Sequence, residues 1–142
     1  MKYRKGVFLV VFRGKGKREY LILRRVLHWK GWEFPKGGIE PGETETEAVK
    51  RELREETRLK TNKIFKFKKE GKFRYSRKLK DRPGLIGQNW KLFAVRVGAG
   101  KVKISRKEHS RYKWLDFKQT LRLLKWKDQR ACLKLVERKL NK

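Results

Sequence analysis

Apolar and polar positions along the chain fall into short blocks whose period changes from one to the next. The run Val7-Phe8-Leu9-Val10-Val11-Phe12 is continuously apolar and predicts a buried strand over residues 3–13. Arg13-Gly14-Lys15-Gly16-Lys17 reads as a turn, and loose alternation from Glu19 to Val26 predicts the hairpin partner. The two turn glycines do not make a phosphate loop, because no helical pattern follows them. From Glu45 to about Thr57 the residues are mostly good helix formers. Thr44 and Glu47 have the spacing of a capping box, Pro41-Gly42 before them is turn chemistry, and Val49 and Leu53 form an apolar stripe that can dock on a core.

The second half alternates more clearly. Asn62–Lys69 and Lys72–Ser76 each predict a strand, and Asn89–Val97 predicts a third. Between them Lys78–Gly87 is polar and contains Asp81-Arg82-Pro83-Gly84, which predicts a mobile loop facing substrate. Lys101–Ile104 reads as a short strand. Asp116 is placed to cap a helix reaching about Lys125, with Leu121 and Leu124 inward. A last helix over Lys127–Leu140 buries Cys132, Leu133, Val136 and Leu140.

Composition narrows this picture. A chain of 142 residues, 37% apolar and 12% aromatic, suits one domain, residues 1–142, with a real core despite 41% charge. Cys132 is alone, which fits a buried structural thiol in a reducing, cytoplasmic setting. No apolar run is long enough for a membrane span. With 43 Lys and Arg against 15 acids the formal charge is +28, which points either to a polyanionic partner such as RNA or a nucleotide polyphosphate, or to a basic bias of the whole surface. The basic residues are spread along the chain, not gathered in an arm. The pattern leaves the oligomeric state open.

Against that background the acids are not scattered. Seven of the fifteen fall between Glu40 and Glu56. Glu52, Glu55 and Glu56 are three and four residues apart and share one helix face, where like charges destabilise a bare helix by roughly 0.2–0.5 kcal/mol per pair. A hard divalent cation reverses that sign, since magnesium takes carboxylate oxygens and shares them with substrate phosphates. The alternative is a solvated face paired with surplus Lys and Arg.

The stretch from Gly37 to Leu59 resembles the Nudix box, G-x5-E-x7-R-E-U-x-E-E-x-G-U, in which U is a bulky apolar residue. Gly37, Glu43, Arg51, Glu52, Leu53, Glu55, Glu56 and Leu59 stand in register. Arg58 replaces the last glycine, which normally ends the helix in a left-handed conformation. The resemblance implies an α/β fold, the Nudix α/β/α sandwich with a mixed β-sheet. It also implies magnesium-dependent hydrolysis of a phosphoanhydride in a nucleoside diphosphate derivative, with manganese as a possible substitute. Within the family, Pro35-Lys36-Gly37-Gly38 and the segment Glu108-His109-Ser110-Arg111-Tyr112-Lys113-Trp114-Leu115 are similar to diadenosine tetraphosphate hydrolases. The run Gly87-Gln88-Asn89-Trp90 is similar both to those enzymes and to RNA pyrophosphohydrolases, with Asn89 departing from their pattern.

Carried over residue by residue, the resemblance implies that Glu52 and Glu56 bind magnesium with the Gly37 carbonyl as a further ligand. Glu55 binds metal or orients the attacking water, Glu108 is the alternative base or an outer ligand, and Arg51 orients the box carboxylates. Lys36 and Lys91 are candidates for substrate phosphate. Tyr75, Tyr112 and Trp32 are the aromatic candidates on the substrate side, with packing as the alternative for Trp32 and Tyr112. His28 has no second histidine near it, which favours a structural role. Three functions follow in order: asymmetric cleavage of diadenosine tetraphosphate to ATP and AMP, removal of pyrophosphate from triphosphorylated RNA, and non-catalytic nucleic-acid binding on the same scaffold.

Overall fold

A computed structural model describes residues 2–14 and 16–142, so that the hairpin turn expected at 13–17 is described except at Lys15. Among the described residues the chain runs β1 (Lys2–Arg4), β2 (Gly6–Arg13), β3 (Glu19–Arg25), β4 (Gly31–Glu33), β5 (Lys36–Gly38), α1 (Glu45–Thr57), β6 (Thr61–Arg74), β7 (Leu85–Val97), β8 (His109–Leu115), α2 (Phe117–Leu123) and α3 (Lys127–Leu140). The strands form one mixed sheet with the path β1-β7-β2-β3-β4, with β5 on β2, β6 on β7 and β8 on β3. β2 and β7 run parallel, whereas β2 and β3 are antiparallel.

The apolar run predicted for the first strand is buried on both faces, and its period of two sorts it. Phe8, Val10 and Phe12 join Trp90, Leu92 and Ala94 of β7 and Cys132, Leu133 and Val136 of α3 on one face. Val7, Leu9 and Val11 join Phe93, Val95 and Val97 of β7 and Ala48, Val49 and Leu53 of α1 on the other. Two helical layers on one sheet make the α/β/α sandwich. Among the described residues no helix is long and apolar enough to cross a membrane.

Several elements differ from the pattern's expectation. The first strand breaks at Lys5, and its short leading piece β1 pairs with β7. The strands expected at 62–69 and 72–76 are one strand, β6. Its register against β7 shifts between Lys66 and Glu70, so a bulge absorbs the polar run Lys68-Lys69-Glu70 on a sheet edge. Residues 101–104 are not a strand: Val102 is buried under α1, and the Lys103 amide donates to the Thr57 carbonyl at 2.9 Å, so this segment closes the end of α1. The loop expected at 78–87 gives up its last residues to β7, which starts at Leu85. α2 ends at Leu123, two residues short of the expected end.

α1 is bounded as its sequence dictates. The Thr44 hydroxyl accepts from the Glu47 amide at 3.1 Å and the Glu47 carboxylate accepts from the Thr44 amide at 2.9 Å. Arg58 closes the helix in the left-handed region, φ 65°, with its amide donating to the Arg54 carbonyl. The glycine conformation is therefore kept without the glycine. Asp116 caps α2 by the same reciprocal arrangement with Gln119.

Candidate active site

The helix that carries the acids packs its Val49–Leu53 stripe on the sheet, and this decides where the acids point. Glu52 and Glu56 follow one turn apart beside that stripe and are drawn under the protein surface, whereas Glu55 stays exposed. Burial pushes the Glu52 carboxyl up to about 7, against the pull of Arg51. Glu56 is raised well above the carboxylate range, first by burial and then by the negative charge of Glu52, Glu108 and Glu33. Its Oε2 is buried with no hydrogen-bond partner.

Arg51 organises the exposed side of this group. Its guanidinium donates to Glu43 at 2.7 and 2.9 Å, to Glu52 at 2.9 Å, to Glu55 at 2.8 Å and to the Gly38 carbonyl at 2.7 Å. Glu43 also accepts from the Glu40 amide at 3.0 Å, so the approach loop, the helix and β5 are tied through one side chain. Gly37 on β5 lies directly beneath Glu52: a Cβ there would collide with all three atoms of that carboxylate. Gln88, buried on β7, donates to the Gly37 carbonyl at 3.4 Å.

The cleft around these groups is a cavity of about 40 Å³ lined by Gly37, Glu52, Glu108, Arg4, Arg25 and Arg82, with Lys36 at its edge. Three expected site residues, Gly37, Glu52 and Glu108, therefore meet, and Glu56 joins them: its carboxylate, that of Glu108 and a ring nitrogen of His109 lie within 4.8 Å of one another. Beneath them sits a buried network. Glu33 accepts from Arg25 at 3.3 Å and from Trp29 at 3.0 Å, pairs with Lys36 at 3.3 Å and meets His109 Nε2 at 3.0 Å. Burial alone would raise Glu33, but Lys36, His109 and Arg25 hold it down to about 2.

Lys36 also borders a second cavity of about 320 Å³ on the α3 face, lined by Phe8, Trp29, Phe73, Tyr75, Trp90 and Trp126. The Lys36 ammonium stands 4.6 Å from the Trp29 ring centre and 4.7 Å from that of Phe73. Burial lowers its pKa, partly offset by Glu33. Tyr75 lines this cavity, and its hydroxyl accepts from Arg82 at 2.7 Å. The polar loop is docked at the site through that bond and through His28 Nε2, which lies 3.1 Å from Asp81.

The remaining expected residues are placed elsewhere. Trp32 is packed in the core, with Lys113 over its ring at 5.3 Å. Lys91 pairs with Glu45 at 2.9 Å and borders a polar groove with Glu70 and Lys72. Tyr112 stands half-exposed on β8 opposite Leu23. Trp29, Trp126, Arg25, Glu33 and Arg82 also belong to the site, although no motif in the sequence marks them. Their signal was weak, since a tryptophan, a salt-bridging Arg or a lone Glu outside a motif looks like packing or surface until the fold gathers them.

Residues 2–136 match the NUDIX domain family. The chain belongs to the Nudix family. Its relatives include the asymmetrical bis(5′-nucleosyl)-tetraphosphatase of mouse, 30% identical over 118 residues, covering 81% of this chain and 76% of that protein. The RNA pyrophosphohydrolase of Coxiella burnetii is 30% identical over 127 residues, covering 81% of this chain and 55% of that protein. The Nudix chain described here thus spans about half the length of the latter. A binary complex of the Ap4A hydrolase of C. elegans superposes with a TM-score of 0.76 over 97% of this chain and 98% of that one, at 23% identity, which is a likeness of fold.

Proposed function

We propose that this Nudix protein hydrolyses a phosphoanhydride in a nucleoside polyphosphate, and that its preferred reaction is asymmetric cleavage of diadenosine tetraphosphate to ATP and AMP. The observation that carries the reading is the junction at Lys36: an aromatic cavity of about 320 Å³ opens beside a cleft lined by Glu52 and Glu108, and the Lys36 side chain lines both. Stacking of a base on such rings is sequence-tolerant and contributes about 1–3 kcal/mol. The identity to the mouse tetraphosphatase over most of both chains agrees with this substrate class.

The donor set fits a hard divalent ion: carboxylates, a backbone carbonyl and an unpartnered buried Glu56 oxygen. Glu52, Glu56 and the Gly37 carbonyl would hold magnesium, or manganese in its place, with Glu55 and Glu108 as further ligands. When bound, the ion neutralises phosphate oxygens and lowers the pKa of water. The chain's own residues do the rest. Glu55 or Glu108 accepts the proton of the attacking water. Arg51 fixes the carboxylates, Lys36 and Arg82 draw phosphate into the cleft, and the Trp29–Phe73–Trp126 cavity seats one adenine. Catalysis here is positioning and electrostatics.

A second reading, release of pyrophosphate from 5′-triphosphorylated RNA, is favoured by the formal charge of +28 and by the Coxiella relative. One substrate panel separates them: diadenosine tetraphosphate, triphosphorylated RNA, ADP-ribose and oxidised dGTP, each with magnesium, products identified by mass. ATP plus AMP from the first, formed faster than any product of the others, supports the proposal; faster pyrophosphate release from RNA overturns it. RNA turnover should also fall steeply with salt, whereas a small dinucleotide responds far less.

A further inference from the structure

His109 opens β8, paired in register with Arg25, and is fully buried. Its Nε2 faces Glu33 Oε2 at 3.0 Å. Glu33 is ringed by donors from Arg25 and Trp29 and by the Lys36 ammonium, so it is present as an acceptor-only carboxylate, and the histidine nitrogen that faces it carries the hydrogen. In the neutral ring this leaves Nδ1 as a bare lone pair. Nδ1 is buried and has no hydrogen-bond partner, and Glu56 Oε2 is in the same condition. His109, Glu56 and Glu108 nevertheless bring one ligand atom each within 4.8 Å of one another. Two buried acceptor atoms without a hydrogen-bond partner, on residues gathered with the half-buried Glu108 carboxylate, are matched to a cation. A histidine whose far nitrogen is held by a carboxylate is also the usual dress of a metal-bound imidazole.

We propose that His109 Nδ1 is a metal ligand and, with Glu56 and Glu108, forms a mixed nitrogen–oxygen position that favours manganese-type transition ions over magnesium. Glu33 is its positioning residue: it fixes which nitrogen is free and where the ring points. A nitrogen donor shifts preference along the transition series, whereas an all-oxygen set suits magnesium. The inference rests on the metal reading of the box carboxylates and adds to it the identity of one ligand.

The test uses the whole chain, untagged and without substrate, so that its two histidines, His28 and His109, are the only imidazoles present. Manganese is added and pulsed electron paramagnetic resonance records the nuclei coupled to it. A directly bound imidazole ¹⁴N coupling is expected in the wild type and in His28→Gln, lost in His109→Gln. The manganese affinity of His109→Gln should fall by at least about 10-fold, the lower end of what loss of a mere supporting partner costs, while its magnesium affinity changes less. The wild-type spectrum needs no variant to fold. Manganese bound with oxygen couplings alone overturns the assignment of His109 and leaves the carboxylate site intact. No manganese binding at all overturns both.

Discussion

The Glu52 carboxylate occupies the space that any side chain at Gly37 would fill. Glycine is therefore required at this position by the close approach of a helix carboxylate to the β5 backbone, not by its dihedral freedom. Gly37→Ala should displace Glu52, lower turnover on the order of 100-fold, as loss of a preorganised charge-stabilising group does, and weaken magnesium binding. Isothermal titration with magnesium, alongside steady-state rates, checks it; unchanged affinity would separate Gly37 from the metal.

Glu56 is held at a cost in the metal-free protein, since its Oε2 is buried without a partner. Glu56→Gln removes a buried carboxyl that is costly to ionise and should therefore make the metal-free fold more stable at pH 8, while abolishing most of the activity. Thermal melting and turnover are expected to move in opposite directions. A loss of both would mean that Glu56 is structural.

Acid stability should show two windows of opposite sign. Glu52, raised to about 7 from an ordinary 4.5, binds its proton more tightly folded than unfolded, so the metal-free protein loses stability as pH rises from about 4.5 to 7. The shift corresponds to about 3 kcal/mol, and saturating magnesium should cancel it. Glu33, lowered to about 2, contributes stability that is present above 4.5 and is lost as pH falls toward 2. Urea denaturation across pH, with and without magnesium, should give a metal-free optimum near the lower end of the first window.

Arg58 holds φ 65° at the end of α1, a conformation that costs a non-glycine residue about 1–2 kcal/mol. Arg58→Gly should raise the stability by about 1 kcal/mol and leave turnover unchanged. Chemical denaturation reads the first and the substrate panel the second. Trp126→Ala should act the other way round, raising KM for diadenosine tetraphosphate by roughly 5–100-fold through lost stacking, with little change in the folding midpoint.

The sequence by itself determined the elements whose causes are local. Thr44 and Glu47 set the start of α1, Asp116 that of α2, and the six-residue apolar run marked a buried strand. The spacing of Glu52, Glu55 and Glu56 fixed their common helix face. Only the tertiary structure decided what depends on partners far apart in the chain. Packing of Val49 and Leu53 on the sheet buries Glu52 and Glu56 and leaves Glu55 exposed. The pairing of β3 with both β4 and β8 sets Glu33, Arg25 and His109 into one network across 76 residues of sequence. The docking of α3 brings Trp126 to Trp29 and Phe73 around Lys36. Periodicity records which face of an element is buried; it does not record which buried face it meets, and the cleft and its cavity are made from those meetings.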